Sequence, residues 1–315
     1  MQRLHVSLPA GLTDEVLSLL DANTGVSRVL LFRGASIRPE GDVIEADIAR
    51  EACDEVVSAL RGLGVPDLGT VQLDPVQTWL SADGLAAQDR APGASADAVV
   101  WANVTQQAYE ESELNWTYVS FMTLATLLAG IAIVLDSPIL VIGSMVLGPE
   151  FIAIAALGLA LVRRRSGLFA RAARTLSVGF GVAILLTFLA ALVSRALGWV
   201  TLADVTADRP GTDFIYSPDK WSFIVAVIAA AAGVLSLTSA KIGGLSGVFI
   251  SVTTVPAAGN IALGSAFGAW SEVGGSAAQL GINVLGMVLA GWLTLTIQQH
   301  LWVRRPSWRR QGPNV

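Results

Sequence analysis

Residues Gly143–Ile154 read GSMVLGPEFIAI, and this stretch decides how the rest of the chain is read. It lies inside an apolar run from Pro138 to Val162, long enough to cross a membrane, for which about 20 helical residues are needed. A plain anchor has no use for a helix breaker beside an ionisable acid, yet Pro149 and Glu150 stand near the middle of the run. Proline removes a backbone donor and frees a carbonyl about one turn earlier, while Gly143 and Gly148 lower the cost of opening the helix there. In hydrocarbon the freed groups must be met by protein, by Ser/Thr side chains or by water in a cavity. A charge at this depth costs about 2.5–3.5 kcal/mol on insertion scales, so Glu150 is expected to face the bundle interior or a wet cavity, or to be protonated. Two roles stay open for it: handling a proton or cation, or locking helices together through hydrogen bonds.

The same design recurs downstream. GVFISVTTVPAAGNIALG, from Gly247 to Gly264, sets Pro256 about midway along a run from Gly243 to Ala269, with Thr253, Thr254 and Asn260 around it. Between and beyond these two runs lie four more of spanning length: Thr117–Leu135, Ala172–Leu197, Ser222–Ser239 and Gly275–Gln298. Six transmembrane helices are therefore expected. Ten basic residues (Arg163, Arg164, Arg165, Arg171, Arg174, Lys241, Arg304, Arg305, Arg309, Arg310) fall on one set of loop ends and three (Arg195, Arg209, Lys220) on the other. Positive-inside statistics then put both termini in the cytosol. Trp116 and Trp302 would mark the inner boundary and Trp199, Trp221 and Trp270 the outer one. Two halves of three spans have opposite orientation, so two readings stay open: an inverted repeat with an interrupted middle helix in each half, a pointer to a transport site where the breaks meet, or two ordinary proline-kinked helices. The candidate binding residues are Ser144, Gly148, Pro149, Glu150, Thr253, Thr254, Pro256, Asn260 and Asn283, although Ser, Thr and Asn also serve as interhelical glue. The acidic outer loop TLADVTADRPGTDFIYSPDK, Thr201–Lys220, is expected to lie solvated on the surface.

Composition agrees with a polytopic membrane protein. Of 315 residues 53% are hydrophobic and 14% charged, with a mean hydropathy of +0.60, more apolar surface than a soluble globule covers. The net charge of -5 gives no basic footprint for nucleic acid. A single cysteine, Cys53, excludes an internal disulfide and makes a thiolate metal site a poor expectation. With short apolar runs broken by Arg3, Asp14, Glu15, Asp21 and Arg28, no cleavable leader is expected.

The polar first 81 residues alternate as strand, helix, strand, strand, helix, strand: RLHVSL, TDEVLSLLDAN with Thr13 as N-cap, SRVLLF, DVIEADI, REACDEVVSALRGLG and GTVQLDPVQTWL. That order predicts a ferredoxin-like α+β head. His5 alternates with apolar neighbours and is read as a sheet residue. Ala82–Asp97 has the Ala/Gly/Pro/Ser/Asp composition of a flexible linker. After it Val100, Trp101, Val104 and Ala108 share one helical face, suggesting an interfacial helix or a stalk up to residue 116. The membrane region runs over 117–300, followed by a basic tail at 301–315.

GSMVLGPEF, SVTTVPAAGN and GINVLGMVLAGWLTL, preceded by the small head, resemble the hydrophobic-domain family called domain of unknown function 389, in its actinobacterial form. The resemblance takes in most of the chain, head included, and implies a bacterial inner-membrane protein. Other members often carry a second proline near the position of Glu150, so charge handling there is not implied for the family. No G-x-S-x-G elbow, phosphate-cradling loop or H-E-x-x-H motif is present, no cofactor is called for, and an enzyme is not expected. The expected function is that of a permease for a small ion or solute, partnered by the lipid bilayer, with the head as regulator or oligomerisation module. The alternative is a membrane-anchored sensor or scaffold whose head binds a ligand or partner. Small residues in GMVLAG, Gly286–Gly291, permit close helix contact within or between subunits, so a homo-oligomer is expected.

Overall fold

Strand β1, Gln2–Leu8, alternates along its length: Leu4, Val6 and Leu8 point into a core while Arg3 and His5 face outward. The computed structural model, which describes residues 1–76, 78–91, 99–217, 219–238 and 253–302, continues with α1 (Thr13–Ala22), β2 (Val26–Ile37), β3 (Glu40–Ile48), α2 (Cys53–Gly62), the short α3 (Val65–Leu68) and β4 (Thr70–Pro75). The sheet order is β2-β3-β1-β4 with every neighbouring pair antiparallel. β3 thus lies between β1 and β2, as the split βαβ connection requires. Leu4, Val6, Leu8, Ile44 and Ile48 pack with Val16 and Leu20 of α1 and Val56 and Leu60 of α2, all 0% exposed. The opposite face carries ion pairs from Arg3 and Arg28 to Asp47, and His5 3.5 Å from Glu45. Pairs that exposed are worth about 0–1 kcal/mol each, so the apolar layer holds the unit together.

Thr13 is the first helical residue of α1 rather than its N-cap. Its hydroxyl is spent elsewhere: Oγ1 donates to Asp42 Oδ2 at 2.7 Å, while Gly34 N–H donates to Oδ1 at 2.7 Å. The Gly34 backbone bond, then the Thr13 bond, hold the Asp42 carboxyl below its usual range. A depressed carboxylate contributes stability that is present above the unfolded pKa, about 3.9, and is lost as pH falls through the lower folded value. Hydrogen-exchange protection of α1 and β3 should therefore be lower in Asp42→Asn than in wild type at pH 6, and the two should converge below about pH 4. A gap unchanged between pH 6 and pH 3 would contradict this.

Cys53 opens α2 with its thiol fully buried and directed at Ala49 O, 3.5 Å away. Burial pushes the thiol up to about 12, so almost no thiolate exists at neutral pH. The native protein is expected to resist maleimide labelling until unfolded.

The stretch read as a flexible linker is partly helical. Ala82–Arg90 forms α4, capped by Ser81 Oγ, which accepts from Gly84 N–H at 3.1 Å, and Ala87 is buried as α4 packs on β2 and β3. The cap and one apolar contact face outweigh composition here; residues 92–98 lie outside the described residues. Helix α5, Trp101–Glu111, begins with Trp101 N–H donating to Asp54 Oδ1 at 3.0 Å, and the preceding Val100 joins the core of the head. That end of the helix is therefore protein-packed rather than interfacial.

A second unit holds 107–237 and, among the described residues, 253–299. Its helices are α6 (Trp116–Val134), α7 (Pro138–Leu147), α8 (Glu150–Val162), α9 (Ser166–Ala196), the short α10 (Leu202–Val205), α11 (Lys220–Thr238), α12 (Thr254–Phe267) and α13 (Trp270–Trp302). Four of them, α6, α9, α11 and α13, are long and apolar enough to cross a membrane, and the bent pair α7 and α8 makes a fifth if counted as one span. Of the expected fifth run, 243–252 lies outside the described residues, as do Lys241 and the basic tail from 303. What is described of it, α12, has 14 residues, nearly all buried. An all-round apolar helix belongs at the centre of a bundle, and α12 lies against α6 and α9. The approach is close: a Cβ on Gly259 would come within 2.9 Å of Ala129 Cβ and 3.1 Å of Gly130 N.

The glycines of GMVLAG are used within the chain. A Cβ on Gly158 of α8 would sit 3.2 Å from Gly291 C, and one on Gly286 3.3 Å from Phe223 of α11. The connection from α9 to α11, read as a solvated loop, is instead partly interior: Val205 and Ile215 are fully buried with Ala132, Ile133 and Phe267, and Arg209 is 2% exposed. Its apolar residues outweigh its acids, and Asp136 ties it down by accepting from Thr212 Oγ1 at 2.9 Å and Gly211 N–H at 3.3 Å.

Candidate functional site

Ser137 caps α7 and Pro138 occupies its first turn, where a missing N–H costs nothing. The helix runs to Leu147 and stops because Gly148 turns extended and Pro149 has no N–H to continue the ladder. α8 restarts at Glu150, bent by 55° from α7. Glu150, 6% exposed, sits at this new N-terminus, where a helix dipole favours negative charge. The break has no room for a side chain on Gly148: an added Cβ would overlap Glu150 Oε2 and come within 2.7 Å of Val255 Cγ2.

The start of α12 meets this break. α12 begins at Thr254, with Thr253 as its N-cap, and Thr254 Oγ1 donates to Glu150 Oε1 at 2.6 Å. Glu150 Oε2 is buried with no hydrogen-bond partner. Pro256 was expected to interrupt a helix midway; it lies in the first turn of α12, a position that tolerates proline, so it marks a start and not a kink.

Thr253 faces the other way, toward α13. Its Oγ1 receives Gln279 Nε2 at 3.0 Å and Asn283 Nδ2 at 2.9 Å. These three residues line a cavity of about 640 Å³ that also takes in Pro138, Val141 and Met145 of α7 and Asp213, Asp219 and Trp221 of the α9–α11 connection and the start of α11. Glu150 does not line it; the acid lies one residue away, behind Thr254.

A second polar cluster lies along α13. Arg209 Nη2 and Glu272 Oε2 form a buried ion pair, Asn260 Nδ2 donates to the same Oε2 at 3.1 Å and to Ser276 Oγ at 2.9 Å, and the guanidinium stacks 5.3 Å from the Tyr216 ring. Arg209 Nε and Nη1 and Asn260 Oδ1 remain buried without partners.

The family model described as "Domain of unknown function (DUF389)" matches residues 145–289. Over those residues the chain is similar to the DUF389 family. Comparison with curated proteins and with solved structures gives no match. The matched segment holds the break between α7 and α8, the start of α12 and most of α13 but not the head, which the resemblance read from the sequence had included.

Of the candidates read from the sequence, Glu150 and Thr254 are bonded to each other, Thr253 and Asn283 are bonded to each other, and Gly148 and Pro149 shape the first break. Asn260 joins the Arg209 cluster instead. Ser144 is buried and spends its hydroxyl on Val141 O at 2.7 Å, within its own helix. Gln279, Ser276, Glu272 and Arg209 were not singled out. A signal for three of them exists: Glu272, Ser276, Gln279 and Asn283 follow i, i+4, i+7 and i+11, one polar stripe on an apolar helix.

Proposed function

We propose that this protein is a permease for a small ion or solute in a bacterial inner membrane, built of six spans as two inverted halves, with both termini cytosolic. The observation that supports it is the hydrogen bond between Glu150 and Thr254, which joins two helix starts inside the DUF389 segment, beside a cavity floored by Thr253, Gln279 and Asn283. Buried ionisable groups at discontinuous helices are what alternating access uses to bind and couple a solute. The ferredoxin-like head then acts as a regulatory or oligomerisation module of a homo-oligomer. Purified protein in liposomes should show solute flux that Pro149→Ala and Glu150→Gln reduce. Flux absent from wild type across a panel of ions and small solutes, or unchanged in both variants, would contradict the reading.

A further inference from the structure

The cavity floor has a definite hydrogen-bonding polarity. Gln279 and Asn283 are each 1% exposed, and both turn their amide nitrogens to the Thr253 hydroxyl. Their oxygens, Gln279 Oε1 and Asn283 Oδ1, are buried without partners. One hydroxyl carries one proton, so Thr253 can donate to at most one amide oxygen. At least one carboxamide must therefore offer its oxygen away from Thr253, whichever way the amides are turned. A buried carbonyl oxygen left unpaired costs about 1–3 kcal/mol, so the floor favours a ligand that brings positive charge or a hydrogen-bond donor.

The rest of the lining has the same bias. Asp213 and Asp219 are among the described lining residues, and no Lys, Arg or His is. The backbone bond from Ser222 holds the Asp219 carboxyl below its usual range, so it is charged at neutral pH. The floor itself is neutral, made of amide and hydroxyl oxygen. Divalent ions are generally held by carboxylates in direct contact, whereas neutral oxygens suit an ion of lower charge.

We propose that this cavity binds a monovalent cation, of alkali-metal or ammonium type, on the carboxamide oxygens of Gln279 and Asn283, which the Thr253 hydroxyl orients by accepting from both amide nitrogens, with Asp213 and Asp219 drawing cations to it. The assignment rests on the permease reading for its place in transport, but binding is separable from flux.

The test measures the thermal midpoint of the purified full-length protein in detergent at fixed ionic strength. KCl, NaCl or NH4Cl replaces N-methyl-D-glucamine chloride stepwise. The expected result is a saturable rise in Tm with at least one of the three cations, lost in Asn283→Leu and in Gln279→Leu. In Asn283→Asp, which adds a charge to the floor, half-saturation should move to lower concentration. A response to K+ or Na+ alone identifies an alkali-metal site, and one to NH4+ alone an ammonium site. No saturable rise with any cation, or an equal rise in both Leu variants, overturns the proposal. Saturable stabilisation without liposome flux would keep the cation site and remove the permease. Flux of an anion or uncharged solute without cation stabilisation would do the reverse.

Discussion

Glu150→Gln should lower flux by about 10- to 100-fold while leaving the fold intact. The substitution keeps the size of the side chain and keeps an oxygen for Thr254 Oγ1, whose bond to Glu150 is 2.6 Å. What it removes is the charge the carboxylate can carry next to the cavity floor. The partner that loses the charge is the moving proton or cation and not Thr254: a charged partner worth about 1.5–3 kcal/mol at that step slows it about 10- to 100-fold, since about 1.4 kcal/mol is a factor of ten. Thr254→Val separates the two roles open for this acid. If Glu150 only ties the helix starts together, Thr254→Val should lower Tm and Glu150→Gln should leave both Tm and flux unchanged. If Glu150 takes part in solute or proton movement, Glu150→Gln should cut flux at an unaltered Tm.

The largest effect on stability is expected at Arg209. Removing one member of a buried, hydrogen-bonded ion pair strands the other and costs about 3–5 kcal/mol. Arg209→Met leaves Glu272, 9% exposed, with Asn260 Nδ2 as its bonded partner and no counter-charge. For a unit of this size that is a fall in Tm on the order of 10 °C. The double variant Arg209→Met/Glu272→Leu should recover most of the loss, because apolar residues that fill a buried pair's space are often as stable as the pair. An Arg209→Met protein with wild-type Tm would show that the guanidinium is not held inside the bundle.

The head was legible because its periods are unambiguous: Leu4, Val6 and Leu8 alternate in β1, and Val16 and Leu20 recur one turn apart in α1. The first break was legible because Gly148 and Pro149 admit few alternatives in a helix. Its partner was harder to place, since proline both kinks helices and starts them. Pro256 starts one, and nothing in its neighbours distinguishes the two cases without knowing where Thr253 sits. Arg209 illustrates what sequence cannot carry: its partner Glu272 is 63 residues away, and an Arg in an acidic loop looks solvated until the fold buries it. The stripe Glu272, Ser276, Gln279, Asn283 had a readable period, but Gly and Ala between its members weaken the contrast on which such patterns depend.

A water-filled cavity that reaches the start of α12 at Thr253 is directly measurable, because the chain has a single cysteine. In a Cys53→Ser background, Thr253→Cys in proteoliposomes should react with a membrane-impermeant cationic methanethiosulfonate. Trp221→Cys, at a residue 61% exposed, should also react, while Ala160→Cys, at a residue 2% exposed, should not. A Thr253→Cys protein that stays unmodified while Trp221→Cys is labelled would mean that the start of α12 is sealed in dry packing, which contradicts the permease reading.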